Sequence, residues 1–146
     1  MTKFDIAKEA IEWVGTPYIH KARVKQVGVD CAQLVAAIAE KFNLVTSEQL
    51  NNIPQYDVEF HLHNREEKLL NILESFGCTR KDEIDIGDIL AFRYGRSCSH
   101  LAIFVGNNQI VHANYMMAVP KTVCTAYNSE FSRRLGAIYS FPIGVK

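Results

Sequence analysis

The chain has 146 residues, enough to bury one ordinary core and too few for two, so the expectation is a single domain spanning residues 1–146. Sixteen Lys and Arg balance sixteen Asp and Glu, so no overall field recruits nucleic acid or an anionic membrane, and neither is expected as a partner. With 48% apolar and 22% charged residues and no long apolar run, the composition is that of a folded soluble protein and excludes a disordered chain or a membrane-spanning helix.

The first stretch, MTKFDIAKEAIEWVG, carries Asp5, Glu9 and Glu12 and lacks the apolar core of a signal peptide. The expectation is therefore synthesis in the cytoplasm without a leader. Phe4, Ala7, Ile11 and Val14 recur at helical spacing with Lys8, Glu9 and Glu12 between them, so residues 4–14 read as an amphipathic helix ended by Gly15. Gly15-Thr16-Pro17-Tyr18 breaks that pattern, because proline pushes the residue before it out of the helical region. A loop bearing His20, Lys21, Arg23 and Lys25 follows, its basic run too short to argue for nucleic acid.

In GVDCAQLVAAIAEKF, residues 28–42, Leu34, Val35, Ile38 and Phe42 keep helical spacing and the alanines favour the helix. Asp30 is placed to cap it, with Gln33 three residues on completing a capping-box-like start. Cys31 then falls in the first turn. A thiol there feels the positive end of the helix macrodipole, which lowers its pKa and makes it a candidate nucleophile. The four cysteines, Cys31, Cys78, Cys98 and Cys124, show no C-x-x-C spacing, which argues against a zinc site and a disulfide framework and leaves four thiols, at most one reactive.

Residues 43–64 carry few periodic signals and hold Pro54, Tyr56 and His61-x-His63, a pair that shares a face if the segment is a strand but lacks a third ligand. No metal and no cofactor is expected. Residues 65–76 are helical through Leu69, Leu70, Leu73 and Phe76, with Gly77 as cap. Past Asp85, short apolar runs at 86–92, 101–105, 109–113, 118–123 and 135–141 alternate with turn residues and read as strands of an antiparallel sheet. Helices first and strands second give an α+β fold, N-terminal helices packed on a C-terminal sheet.

A nucleophile needs a base, and His100 and His112 lie on the two strands of the hairpin HLAIFVGNNQIVHA. If Asn107 and Asn108 alone form the loop, His112 sits across from Ile103 and faces away from His100. A three-residue loop, Gly106 to Asn108, or a bulge restoring the same parity, pairs His112 with Ala102 and brings both rings to one face, diagonally displaced by roughly 7 Å. With that parity His100 is the base for Cys31, and His112 orients it.

GTPY at 15–18, VDCAQLV at 29–35, IGDILAF at 86–92, HLAIFVGNNQIVHA at 100–113 and AIYSFP at 137–142 resemble the NlpC/P60 family of papain-like cysteine peptidases, closest to its phage-borne, tail-associated and cell-wall members. The resemblance implies a papain-like fold, a Cys31-His100-His112 triad, Tyr18 shaping the catalytic centre, and Asp30 meeting a substrate amine. It implies hydrolysis of amide bonds in peptidoglycan stem peptides, commonly between D-glutamate and a diamino acid. Where the family has a small residue and glycine after the cysteine, this chain has Ala32 and Gln33, so Gln33 is expected to reach the substrate groove and narrow it. Two further readings keep the same groove: a noncatalytic tail or structural component, and an acyl or amide transferase using the same triad. Action on peptidoglycan requires delivery to the periplasm or wall, by a phage tail, a pore or a secretion apparatus, and these are the expected partners besides the peptide. A delivered antibacterial toxin is one such setting.

Overall fold

Thr2 starts the first helix with a capping box: its hydroxyl accepts the Asp5 N–H at 3.4 Å while the Asp5 carboxylate accepts the Thr2 N–H at 2.8 Å. The structure, a computed structural model, describes residues 1–56 and 67–143, and α1 runs Lys3–Glu12. The face that α1 turns inward is not the expected stripe. Ile6, Ala7 and Ala10 are buried together with Trp13 just past the helix end, whereas Phe4 is 69% exposed and Ile11 and Val14 are also exposed. Two apolar stripes overlap at Ala7, and the buried one is held by Trp13, whose Nε1 donates to Glu9 at 3.0 Å while Lys25 Nζ pairs with the same carboxylate at 2.7 Å. A buried glutamate with both partners satisfied lets that face go inside.

A two-stranded hairpin follows, β1 (Arg23–Val24) with β2 (Gly28–Val29), and then α2 (Cys31–Lys41). The short helix α3 (Ser47–Asn51) falls in the stretch without periodicity; Thr46 and Gln49 close a capping box around it, a T-x-x-Q signal present in the sequence. Helix α4 (Lys68–Ser75) buries Leu69, Leu70, Ile72 and Leu73, and Gly77, at φ +81°, ends it as expected, with the Gly77 and Cys78 N–H groups bonded back to Glu74 and Leu73.

The remaining strands are β3 (Thr79–Lys81), β4 (Ile89–Tyr94), β5 (Ser97–Gly106), β6 (Gln109–Asn114), β7 (Lys121–Ala126) and β8 (Leu135–Ser140), with the six-residue helix α5 (Ser129–Arg134) between the last two. They form one antiparallel sheet in the order β3-β8-β4-β5-β6-β7. Strand β4 starts three residues later than the apolar run because Asp88 is fully buried, accepting from the Asp85 N–H at 2.8 Å and paired with Lys81 Nζ at 2.7 Å. Among the described residues no helix is long and apolar enough to cross a membrane.

Alternation along the strands divides the core. Ile89, Ala91, Leu101, Ile103, Val111 and Ala113 belong to the layer beneath α1, α2 and α4, all three of which pack on β5. Leu90, Phe92, Ala102, Ile110 and Ile138 form a smaller cluster on the opposite face, covered by Tyr127, Phe131 and Leu135. The fold is thus α+β, with helices on the sheet as the element order implies.

Ile38 is fully buried in the middle of α2, the helix that carries Cys31. Replacing it by Ala is expected to lower stability by about 2–5 kcal/mol, measured by urea denaturation. A change within about 0.5 kcal/mol would show that α2 is not anchored by this side chain.

Candidate active site

Asp30 caps α2 in an extended conformation (φ −114°, ψ 179°), and its Oδ1 accepts the Gln33 N–H at 2.8 Å. Cys31 follows in the first turn and is buried against β5, where the N–H groups of Leu101, Ala32 and Cys31 itself are directed at the sulfur. The expected lowering of the thiol pKa does not result. Burial, and after it the Asp30 carboxylate, push the thiol up to about 12, and the three N–H groups offset only part of this. The helix dipole offers only a partial positive charge, whereas desolvation acts on the whole thiolate.

The hairpin meets the parity condition by the second of its two routes. Asn107 and Asn108 both take positive φ (49° and 56°) and close a two-residue turn of the kind asparagine favours. Gly106 pairs with Gln109 and Phe104 with Ile110, so Val105 is the extra residue of a bulge and Ile103 pairs with Val111. The same register continued puts His112 across from Ala102, on the face of His100. The ring centroids are 4.9 Å apart and His100 Nε2 lies 2.8 Å from His112 Nδ1.

Phe92 and Tyr94 flank the His100 ring, and Phe131 flanks His112. Burial and the neighbouring His112 drive the His100 pKa down to about 3; burial lowers His112 to about 4. Both imidazoles are therefore neutral near pH 7. His112 Nε2 lies 3.0 Å from Thr125 Oγ1 on β7, a partner that nothing in the sequence pattern singled out. The peptide unit joining His100 to Leu101 is the one whose N–H reaches Cys31. Among the described residues no hydrogen bond joins Sγ to the His100 ring, and thiol and imidazole rest uncharged.

Tyr18 is held by its N–H on Pro120 O at 3.0 Å and by a bridge to Val29. Its ring lies 5.6 Å from that of Tyr115, and its phenol is pushed upward by burial, then by Cys31 and Asp30, so it stands beside the thiol. Asp30 is 1% exposed, its Oδ2 accepting from the Lys21 N–H and the Tyr56 hydroxyl, both at 2.7 Å, with His20 Nδ1 at 3.4 Å. Meeting a substrate amine would require displacing one of these groups.

Gln33 makes one half of the expected capping box, its N–H donating to Asp30 Oδ1. The reciprocal half of the capping box is absent; its Oε1 instead accepts from Arg23 at 2.7 Å and its Nε2 donates to Tyr56 at 3.3 Å, which keeps the side chain buried. It walls a small cavity of about 100 Å³ with Lys21, Pro54 and Tyr56. A larger cavity of about 180 Å³ lies on the histidine side, lined by Tyr94, Ser99, His100, His112, Asn114 and Tyr115, with Met116 and Phe131. Tyr56 ties Asp30 to Gln33, a role its isolated place in an unpatterned stretch did not disclose. Among the described residues no three His, Cys, Asp or Glu side chains converge as a metal site, and His61 and His63 lie outside the described residues.

Residues 15–135 match the model of the NlpC/P60 family. In structure the chain is similar to NlpC2 from Trichomonas vaginalis, with a TM-score of 0.64 at 16% identity, covering 95% of this chain and 46% of that one. It is similar to the NlpC/p60 domain of peptidoglycan hydrolase SagA, with a TM-score of 0.63 at 18% identity, covering 96% and 99%. It is also similar to an NlpC/P60 family protein from Bacillus cereus, with a TM-score of 0.61 at 15% identity, covering 97% and 40%. The chain thus spans less than half of the Trichomonas and Bacillus proteins and nearly all of the SagA domain. At these identities the likeness is one of fold. No curated protein matches the chain.

Two outcomes follow from the site. In a Cys124→Ser background, which removes the exposed thiol, alkylation of Cys31 by iodoacetamide should keep accelerating with pH beyond about 8.5, the free-cysteine value; a rate already level below pH 7, followed by peptide mass mapping, would contradict a raised pKa. Tyr56→Phe should destabilise the protein by about 1.5–3 kcal/mol, since it strips a donor from a buried carboxylate. Thermal or urea unfolding measures it, and an unchanged midpoint would mean the hydroxyl contributes nothing.

Proposed function

The chain belongs to the NlpC/P60 family, and from that premise we propose that it is a cysteine peptidase acting on amide bonds in peptidoglycan stem peptides. The observation that carries the reading is the His100–His112 contact of 2.8 Å, formed beside the buried thiol at the start of α2. His112 occupies Nε2 of His100, which leaves Nδ1 to exchange protons with sulfur. Because both groups rest neutral, the proton moves as the bond forms. Cys31 Sγ adds to the amide carbonyl while its proton passes to His100 Nδ1; the resulting imidazolium returns that proton to the departing amine as the C–N bond breaks. Water then attacks the thioester, His100 taking its proton and returning it to Sγ as the C–S bond breaks; this regenerates the Cys31 thiol and releases the acid product, which ionises to the carboxylate in solvent.

The backbone N–H groups around Sγ stabilise the sulfur as it gains charge. Tyr18 and Asp30 lie on the thiol side and are assigned to the acyl part of the substrate, D-glutamyl by family resemblance. The cavity walled by His100 takes the portion bearing the leaving amine, since the group that protonates that nitrogen must adjoin it; by the same resemblance this is the diamino acid. Gln33 is locked beneath Tyr56 and Arg23, which is compatible with an open groove.

Purified muropeptides treated with the protein and resolved by mass spectrometry should yield cleaved stem peptides. Cys31→Ala should reduce their release at least about a thousandfold. Undiminished cleavage by that variant would overturn the assignment of the nucleophile.

A further inference from the structure

The two histidines do not end the hydrogen-bonded chain, because Thr125 Oγ1 lies 3.0 Å from His112 Nε2. We propose that Thr125 is a positioning residue for the triad: by accepting the His112 Nε2–H it supports the tautomer in which His100 can act as a base. This rests on the assignment of Cys31 and His100 as nucleophile and base.

To take the thiol proton, His100 must present an unprotonated Nδ1, so its single neutral-state proton must be on Nε2. At 2.8 Å that Nε2–H must donate to His112 Nδ1, which then carries a lone pair. A neutral His112 with a bare Nδ1 carries its proton on Nε2, and the group facing that nitrogen is the Thr125 hydroxyl. The opposite arrangement, with His112 Nδ1–H donating to His100 Nε2, places the His100 proton on Nδ1 and blocks the base. The Thr125 hydroxyl can serve either direction, since it donates as well as accepts, but only the reactive chain needs an acceptor there: without the hydroxyl that chain leaves the His112 N–H unpaired, whereas the reverse chain leaves only a bare ring nitrogen.

Register makes the contact. Thr125 pairs with Ile110, and His112 pairs with Val123, so Thr125 and His112 are diagonal neighbours on one face of β6 and β7. Proton transfer leaves the chain intact: His100 gains the thiol proton at Nδ1 and becomes an imidazolium, keeps Nε2–H on His112, and gives the same proton to the leaving amine.

The test replaces Thr125 by Val, a near-isosteric residue suited to a strand, and by Ser, which keeps the hydroxyl. Long-range proton–nitrogen correlation spectra of histidine-labelled protein should show both histidines protonated at Nε2 in the wild type and with Thr125→Ser. With Thr125→Val, a His100 form protonated at Nδ1 should appear. On muropeptides Thr125→Val should lower kcat about tenfold with KM unchanged, and Ser should restore it. An unchanged kcat and tautomer in Thr125→Val, or a Ser variant as impaired as Val, would overturn the proposal, as would a wild-type His100 protonated at Nδ1. If the wild type cleaves no muropeptide, the peptidase reading fails while the spectra still decide the role of Thr125.

Discussion

Alternation along β5 governs both the core and the site. Its odd-numbered residues, Leu101 and Ile103, go down beneath α1, α2 and α4, and its even-numbered ones, His100 and Ala102, go to the opposite face. Between them, the peptide unit from His100 to Leu101 turns its N–H to the sulfur of Cys31. The strand that anchors the helices therefore also brings the peptide unit next to His100 up to Cys31. A shift of one residue in β5 would exchange core for site, which is why its register has to be strongly specified.

That register is corrected locally by one residue. The Asn107–Asn108 turn by itself would leave His112 on the wrong face, and the bulge at Val105 restores it without disturbing the pairing from Phe104 back. Bulges bend a strand and re-aim its side chains at little cost to the ladder beyond them. The turn then satisfies the hairpin twist, the bulge satisfies the face, and the 2.8 Å contact between the histidines is the result.

Electrostatics in the site are set by burial more than by the helix. A thiol held high and an imidazole held low are both neutral, so the pair does not carry a standing charge separation in a desolvated place. Asp30 brings a carboxylate close by, 1% exposed yet surrounded by the Lys21 N–H, the Gln33 N–H, the Tyr56 hydroxyl and His20. The same carboxylate that caps α2 thus gathers the loop at 20–21 and Tyr56 over the helix start. A helix cap has become the support of the site.

Local pattern in the sequence was sufficient for much of this. Asp30 before a helix, Cys31 in its first turn, the strands after Asp85 and the two histidines of one hairpin all follow from short-range rules of capping, period and alternation, and the resemblance to the NlpC/P60 family rests on those same residues. What lay beyond it needed long-range contacts. The choice between two overlapping stripes on α1 was made by Trp13, Glu9 and Lys25 meeting in space; the direction of the thiol pKa, by the depth of burial against β5; and the place of Gln33, by Arg23 and Tyr56. The parity of His100 and His112 stood as a condition in the sequence, with two routes to it, and only the folded hairpin chose the bulge. A periodic pattern states which faces a segment can present, whereas desolvation and side-chain partnership depend on what other segments bring to that face, and that is decided by tertiary structure.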